Sequence, residues 1–296
     1  MRMRLLCNPT AGRGRAGRRI LRAMTRLEQG GAQVDLRVSD SPSHLVELGR
    51  ESSAAGFDRL VVCGGDGTLS LVLRELDLTG STIGIIPMGS GDDFAQAVGI
   101  PRDVEKACDA LLNGRVREVD VAVANGVRFL GVAGIGFDSE VARQANRVRL
   151  LRGSLVYLYA ILKVLPRFKP HRATITIDGR PLEEEMMFTV VGNSMRYGGG
   201  IVIAPGADLD DGILDLCIVR KCTRWDLLRT LPLAYSGSHV RRDYVEMYRG
   251  RDFRIESEED LEVYADGEHL TNSPVTIGIL EQRLKVVVPE GTGISG

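Results

Sequence analysis

Arg59-Leu60-Val61-Val62-Cys63-Gly64-Gly65-Asp66-Gly67-Thr68 runs from a β-branched strand into a glycine loop, and apolar residues at helical spacing follow. Strand, glycine turn and helix in that order form the repeating unit of a parallel sheet covered on both faces. The unit recurs on either side. Met3 to Cys7 leads into Asn8-Pro9-Thr10-Ala11-Gly12-Arg13-Gly14, and Thr82 to Ile86 leads into Pro87-Met88-Gly89-Ser90-Gly91-Asp92-Asp93. Gln33 to Val38 supplies a further strand. Ile20, Leu21, Met24 and Leu27 make one helical stripe, and Leu45, Val46 and Leu48 make another, opened by Ser41-Pro42-Ser43. Ligands on such sheets bind beyond the carboxyl ends of the strands, where all three glycine loops fall. Glycines there let backbone N–H groups approach an anion, and the helix N-termini that follow favour negative charge. Three loops gathered on one edge point to a polyphosphate site.

Beyond Arg102 the texture changes. Val116 to Ala124, Val127 to Val132, Ala173 to Ile177, Met186 to Val191, Gly212 to Val219, Asp243 to Tyr248, Phe253 to Glu256, Leu261 to Ala265, Val275 to Ile279 and Leu284 to Val288 are β-branched runs. Asn125-Gly126 and Asp178-Gly179 are hairpin turns between them. The pattern predicts an antiparallel β-sandwich, interrupted by one helical insertion over about 138–165 that ends at Pro166. The expected organisation is an α/β nucleotide-binding domain with a parallel sheet over 1–115 and a β-sandwich over 116–296.

Gly12-Arg13-Gly14-Arg15-Ala16-Gly17 fits the dinucleotide fingerprint, with Asp35 or Asp40 placed for a ribose contact. That reading leaves the second and third loops unexplained, and it sets two arginines where a backbone must lie against pyrophosphate. A Walker A loop is excluded because the chain has no Gly-Lys dipeptide. Phosphoryl transfer needs fixed dipoles for the phosphates, a divalent cation and a base for the acceptor hydroxyl. A carboxylate inside a glycine loop suits a site that also handles Mg²⁺, so Asp66 favours a kinase over a dehydrogenase.

Charge is nearly balanced, 38 basic against 39 acidic residues, which does not favour a nucleic-acid binder. Its distribution is uneven. Met1 to Leu27 holds eight arginines and no acid; Val141 to Ile177 holds six arginines, two lysines and no acid. Within the second stretch Leu150, Leu151, Leu155, Val156, Leu158, Tyr159, Ile161, Leu162 and Leu165 suit either a core helix with a basic rim or a helix on an anionic membrane surface. Five cysteines with no CxxC pair indicate a reducing setting, and neither a signal peptide nor an apolar span is expected. The four histidines share no metal spacing.

Asn8-Pro9-Thr10-Ala11-Gly12, Gly64-Gly65-Asp66-Gly67-Thr68, Gly89-Ser90-Gly91-Asp92-Asp93-Phe94, Asp211-Gly212 and Asp266-Gly267-Glu268, in that order and spacing, resemble the diacylglycerol kinase catalytic-domain family, especially its soluble bacterial lipid kinases. The resemblance spans nearly the whole chain. It implies an N-terminal nucleotide domain like those of NAD kinases and diacylglycerol kinases, a C-terminal β-sandwich and a cleft site. It implies that ATP meets Asn8, Pro9, Thr10, Ala11, Gly12, Ser39, Gly64, Gly65, Asp66, Gly67, Thr68, Leu69, Ser70, Leu71, Gly89, Ser90 and Asp93. A metal outside the reaction centre would use the Asp211 carboxylate with backbone oxygens of Asp208 and Ile213. Glu268 would be the proton acceptor, with Asp266 orienting it or the hydroxyl, and Asp66 would be needed for turnover. The chain departs from the family pattern at Ser70 and Leu71, where Asn-Glu is usual, and at Ser90 and Asp92, which stand for Thr and Asn.

The expected function is an ATP- and Mg²⁺-dependent transfer of phosphate to a lipid hydroxyl, from the cytoplasm at the inner membrane face. Peripheral membrane contact and a homodimer stay open. Two other readings stand beside it: a NAD kinase-like phosphotransferase on a soluble hydroxyl, and a nucleotide-binding regulatory protein without turnover, motivated by Ser70, Leu71 and Asp92.

Overall fold

The structure is a computed structural model and describes residues 1–11, 16–148 and 154–291. Gly12 to Arg15 of the first glycine loop, and Arg149, Leu150, Leu151 and Arg152 of the insertion, lie outside the described residues.

The chain forms two compact units, Met1–Val119 together with the stretch from Glu281, and Asp120–Leu280. The first contains β1 (Arg2–Cys7), α1 (Ala16–Gln29), β2 (Gln33–Val38), α2 (Pro42–Ser53), β3 (Arg59–Gly64), α3 (Asp66–Leu73), β4 (Thr82–Pro87), α4 (Asp93–Ala97), α5 (Val104–Asn113) and β5 (Arg115–Val119). The second begins with β6 (Ala122–Ala124), β7 (Val127–Phe129), β8 (Val132–Gly136), α6 (Phe137–Asn146), α7 (Ser154–Val164), β9 (His171–Ile177) and β10 (Arg180–Gly192). It continues through β11 (Arg196–Tyr197), β12 (Ile201–Val202), β13 (Leu214–Arg220), α8 (Arg224–Ala234), β14 (Val245–Gly250), β15 (Asp252–Ser257), β16 (Glu262–Ala265), β17 (Glu268–Asn272) and β18 (Val275–Ile279). β19 (Leu284–Val288) returns to the first unit.

The first sheet has the order β2-β1-β3-β4-β19-β5, parallel except for β5 against β19. Alternation along β1 divides the two faces. Met3, Leu5 and Cys7 pack with Ile20, Ala23 and Leu27 of α1 and with Cys108 and Leu111 of α5. Arg4 points the other way, its guanidinium donating to Asp35 on β2 and to Ser52 on α2. The sheet is thus sandwiched by helices, as a parallel sheet must be to bury both faces. The glycine loops leave the carboxyl ends of β1, β3 and β4, which are adjacent strands.

The expected boundary at 115/116 is corrected at both ends. Val116 to Ala124 is two strands in different units, β5 and β6, separated at Asp120. Leu284 to Val288 is not a sandwich strand, because it pairs parallel with β4 and antiparallel with β5. Its Leu284, Val286, Val287 and Val288 are almost wholly buried there, which suits a near-continuous apolar run.

The second unit is antiparallel throughout, with β10 as its spine. The first half of β10 pairs with β9, and the second half pairs with β8 on one edge and β13 on the other. Leu214, Leu216 and Ile218 face inward with Ala133, Ile135, Ile175, Phe253 and Ile277, and form the sandwich core. Cys217 and Val219 face outward with Met187 and Val190, under α6, α7 and α8. The expected insertion is two helices, α6 and α7. α8 is a second helical excursion that the strand pattern did not announce, opened by a reciprocal cap between Thr223 and Asp226. Its interior Pro232 and weak periodicity hide it in the sequence.

Candidate functional site

In the first unit the three glycine loops are tied to one another by side chains. Asn8 Nδ2 donates to Thr68 Oγ1 at 3.2 Å, joining loop one to loop two, while Asn8 Oδ1 accepts from the Thr10 amide and hydroxyl. Asp66 joins loop two to loop three. Its Oδ2 accepts from the Asp93 amide and its Oδ1 from the Phe94 amide, both at 3.1 Å. Gly65 and Gly89 complete the junction: a Cβ on Gly89 would lie 2.7 Å from the Gly65 Cα, so neither loop tolerates a side chain there. Ser39, at the end of β2, is buried and donates through its hydroxyl and amide to the Cys7 carbonyl.

What these latches hold open is the start of α3. Gly65 is its N-cap, and no side chain caps the first turn. The Thr68 amide donates to the Gly65 carbonyl, while the Asp66 and Gly67 amides before it remain available to an anion, the ordinary situation at a helix N-terminus. The exposed Pro9 and Thr10 and the partly buried Asn8, Ala11, Gly65, Asp66, Gly67, Gly89 and Asp93 lie along the loops, with Ser90 exposed at the tip of the third. Gly64 is buried at the strand end, and Thr68, Leu69 and Ser70 turn into the interior, while Leu71 is half-buried. The Ser70 hydroxyl finds no hydrogen-bond partner among the described residues. Gly12 lies outside them.

Loop three carries features that its motif did not signal. Asp92 is 4% exposed, has a left-handed backbone (φ 51°) and accepts from the Gly89 amide at 2.8 Å. Burial pushes its carboxyl up to about 6, against the Gly89 hydrogen bond; Asp66 adds to the rise, and Arg102 and Arg19 oppose it. Arg102 donates to the Ser90 carbonyl at 3.0 Å and to that of Gly91, and Arg19 donates to the Pro87 carbonyl at 2.9 Å. These arginines brace the loop from outside its motif, in a sequence where arginine is too common to stand out.

In the second unit, Asp266-Gly267 is the two-residue turn of the β16–β17 hairpin, Ala265 pairing with Glu268. Both turn residues have positive φ, 51° and 85°, as a type I′ turn requires. Asp266 is not solvated. Its Oδ2 accepts from the Leu130 amide at 3.0 Å, and its Oδ1 from the Gly131 and Val132 amides at 3.0 and 3.2 Å. Asn146 at the end of α6 donates to the Gly267 carbonyl at 2.7 Å. Buried Asn193 steadies the receiving segment by donating to the carbonyls of Asp120 and Leu130. Asp266 is thereby a positioning residue for the turn, and Glu268 is the half-buried carboxylate that follows it on β17.

The aspartate turn before β13 does not fit the implied cation. Asp211 Oδ1 accepts from the Ile213 amide at 3.0 Å, and Oδ2 is paired with the Arg249 guanidinium. Arg249 reaches Asp215 as well, at 3.5 Å across the β13–β14 pair, so a fixed positive charge already sits on the turn. Asp120 accepts from the Gly212 amide at 2.7 Å. Among the described residues no group of three or more His, Cys, Asp and Glu side chains is arranged to hold a metal ion. All five cysteines are free, and among the described residues no helix is long and apolar enough to cross a membrane.

Residues 2–124 match the diacylglycerol kinase catalytic domain, and residues 131–288 match the YegS C-terminal NAD kinase beta sandwich-like domain. A diacylglycerol kinase of Mycobacterium tuberculosis (strain ATCC 25618 / H37Rv) is 34% identical over 291 residues, 96% of this chain and 94% of that protein. One from Bacillus subtilis (strain 168) is 29% identical over 293 residues, 98% and 97% of the two chains. The crystal structure of a diacylglycerol kinase from Bacillus anthracis str. Sterne matches with a TM-score of 0.81 at 26% identity, covering 98% of this chain and 97% of that one. Matched over both domains and by relatives along nearly its whole length, the chain belongs to the diacylglycerol kinase catalytic-domain family and is a kinase with an alcohol group as acceptor.

Proposed function

We propose that the protein transfers the γ-phosphate of ATP, with Mg²⁺, to the hydroxyl of a lipid of the diacylglycerol kind at a membrane surface. The observation that carries the choice of a lipid acceptor over a soluble one is α7. Its inner face, with Val156, Tyr157, Ala160, Ile161 and Val164, packs on the outward cluster. Leu155, Leu158, Tyr159 and Leu162 lie on the other side and are 59%, 42%, 41% and 52% exposed. Four large apolar residues at i, i+3, i+4 and i+7 form a continuous stripe. They lie in the acid-free stretch with Lys163, Arg167 and Lys169, the composition of a helix resting on anionic lipid.

The uncapped start of α3 and the latched loops support phosphate binding by backbone amides. Mg²⁺ bound with the nucleotide would neutralise charge on the phosphates. Glu268 is the general base of this reading. It takes the lipid hydroxyl's proton while that oxygen bonds to the γ-phosphorus and the bond to the bridging oxygen breaks, releasing ADP. Asp266 holds the turn that presents Glu268.

The test is transfer from labelled ATP to a total lipid extract in mixed micelles, with and without EDTA. Label in a phospholipid product, lost with EDTA, is the expected result. Label only in a water-soluble product, or none, overturns the reading.

A further inference from the structure

We propose that α8 forms a second contact with the anionic bilayer, Trp225 entering the head-group region among Arg224, Arg229, Arg241 and Arg242. The inference rests on the lipid-kinase reading and adds a surface to it. Trp225 is the chain's single tryptophan and is 71% exposed. An indole left in water loses a large apolar contact, whereas a membrane interface satisfies both its ring and its N–H.

The rest of the outer face of α8 agrees. Arg224, Arg229 and Pro232 are exposed, and Tyr235, just past the helix, is 43% exposed. Thr230 and Ala234 are buried on the inner side, and Leu227 and Leu228 pack on the cluster that includes Met187, Val190, Cys217 and Val219. That is the same outward face of β10 and β13 on which α7 packs. Both helices therefore turn apolar side chains away from one sheet face.

The charge suits the same partner. Arg224, Arg229, Arg241 and Arg242 are exposed, and the Thr223 hydrogen bonds, helped by Arg229 and Arg242, hold the Asp226 carboxyl below its ordinary value. Of the nearby acids, Asp226 is engaged by the Thr223 amide and hydroxyl in the helix cap, and Asp243 is exposed. The surplus is positive. An apolar, arginine-rimmed patch over the face that carries the α7 stripe matches an anionic bilayer better than a neutral protein groove.

Because Trp225 is alone, the protein's whole indole emission reports on this site. The full-length chain is titrated with phosphatidylcholine vesicles with and without phosphatidylglycerol, some carrying bromine-labelled acyl chains. A blue shift and bromine quenching with the anionic vesicles are expected. Trp225→Ala should weaken partition about tenfold. Arg224→Gln and Arg229→Gln should each weaken it roughly fivefold. Both effects should leave phosphorylation of lipid in detergent micelles unchanged. Vesicle binding with unshifted, unquenched emission overturns the α8 contact and leaves the kinase reading intact. Absence of vesicle binding overturns it too, and micellar activity then decides the kinase reading separately. A shift that follows protein concentration without lipid assigns the patch to a second copy of the chain and also overturns the inference.

Discussion

Replacing Asp92 by Asn, the residue usual in the family, should stabilise the protein at neutral pH. The carboxyl is buried, and burial raises it from an ordinary value near 3.8 to about 6. Keeping it ionised at pH 7 then costs the fold roughly 3 kcal/mol. Asn retains the oxygen that accepts from Gly89 and tolerates the left-handed backbone at φ 51°. It gives up the attraction of Arg102, whose Nε stands 3.9 Å away on a half-exposed side chain. That attraction is already contained in the value of about 6, so the net gain is about 3 kcal/mol at most. The sign follows from proton binding. The folded chain holds the Asp92 proton to higher pH than the unfolded chain, so this residue's contribution falls as pH rises from about 4 to about 6 and is level above. Urea unfolding of both proteins across that range isolates the effect, because the other carboxylates cancel in the difference. The variant's advantage should grow with pH and reach its plateau near neutrality. A pH-independent difference, or a variant less stable at pH 7, would refute the reasoning.

Asp66→Asn places an amide donor against the Asp93 or Phe94 N–H, so a loss of about 1 to 3 kcal/mol in thermal unfolding should accompany loss of phosphate transfer. Asp266→Asn should show the same double effect through Leu130, Gly131 and Val132, whereas Glu268→Gln should lower kcat by at least about a hundredfold with nucleotide affinity little changed. Gly89→Ala forces the second and third loops apart and should weaken nucleotide binding in equilibrium titrations. Leu155, Leu158 and Leu162 changed together to Ser should reduce co-sedimentation with anionic vesicles while leaving unfolding nearly unchanged, since these side chains are already exposed.

The strands and loops of the first unit were legible because each signal is local: a β-branched run, a glycine cluster and a helical stripe lie within about twenty residues of one another. β19 was not. Leu284-Lys285-Val286-Val287-Val288 reads as a strand, but nothing within it says which sheet it joins, and only the open edge of β4 decides that. In the same way α7 could be read as core or as membrane surface. Its residues 155 to 162 are almost all apolar, so periodicity alone cannot say which side is covered.

The acids show the sharper limit. Asp66 and Asp266 each sit beside a glycine in a recognisable motif, and both were expected near the reacting groups. In the fold, both carboxylates are turned onto backbone amides of a neighbouring segment, 27 to 28 and 134 to 136 residues away in the chain. A carboxylate whose oxygens already accept from two or three backbone N–H groups is a strong positioning element, with those acceptor sites taken. The general base should therefore be sought next to such a latch rather than in it. Glu268 is held by the turn that Asp266 fixes, so loss of the latch should disturb both stability and turnover, and loss of the proposed base should lower kcat with nucleotide binding little changed. That split distinguishes the two carboxylates by measurement, although Asp-Gly-Glu writes them as one motif.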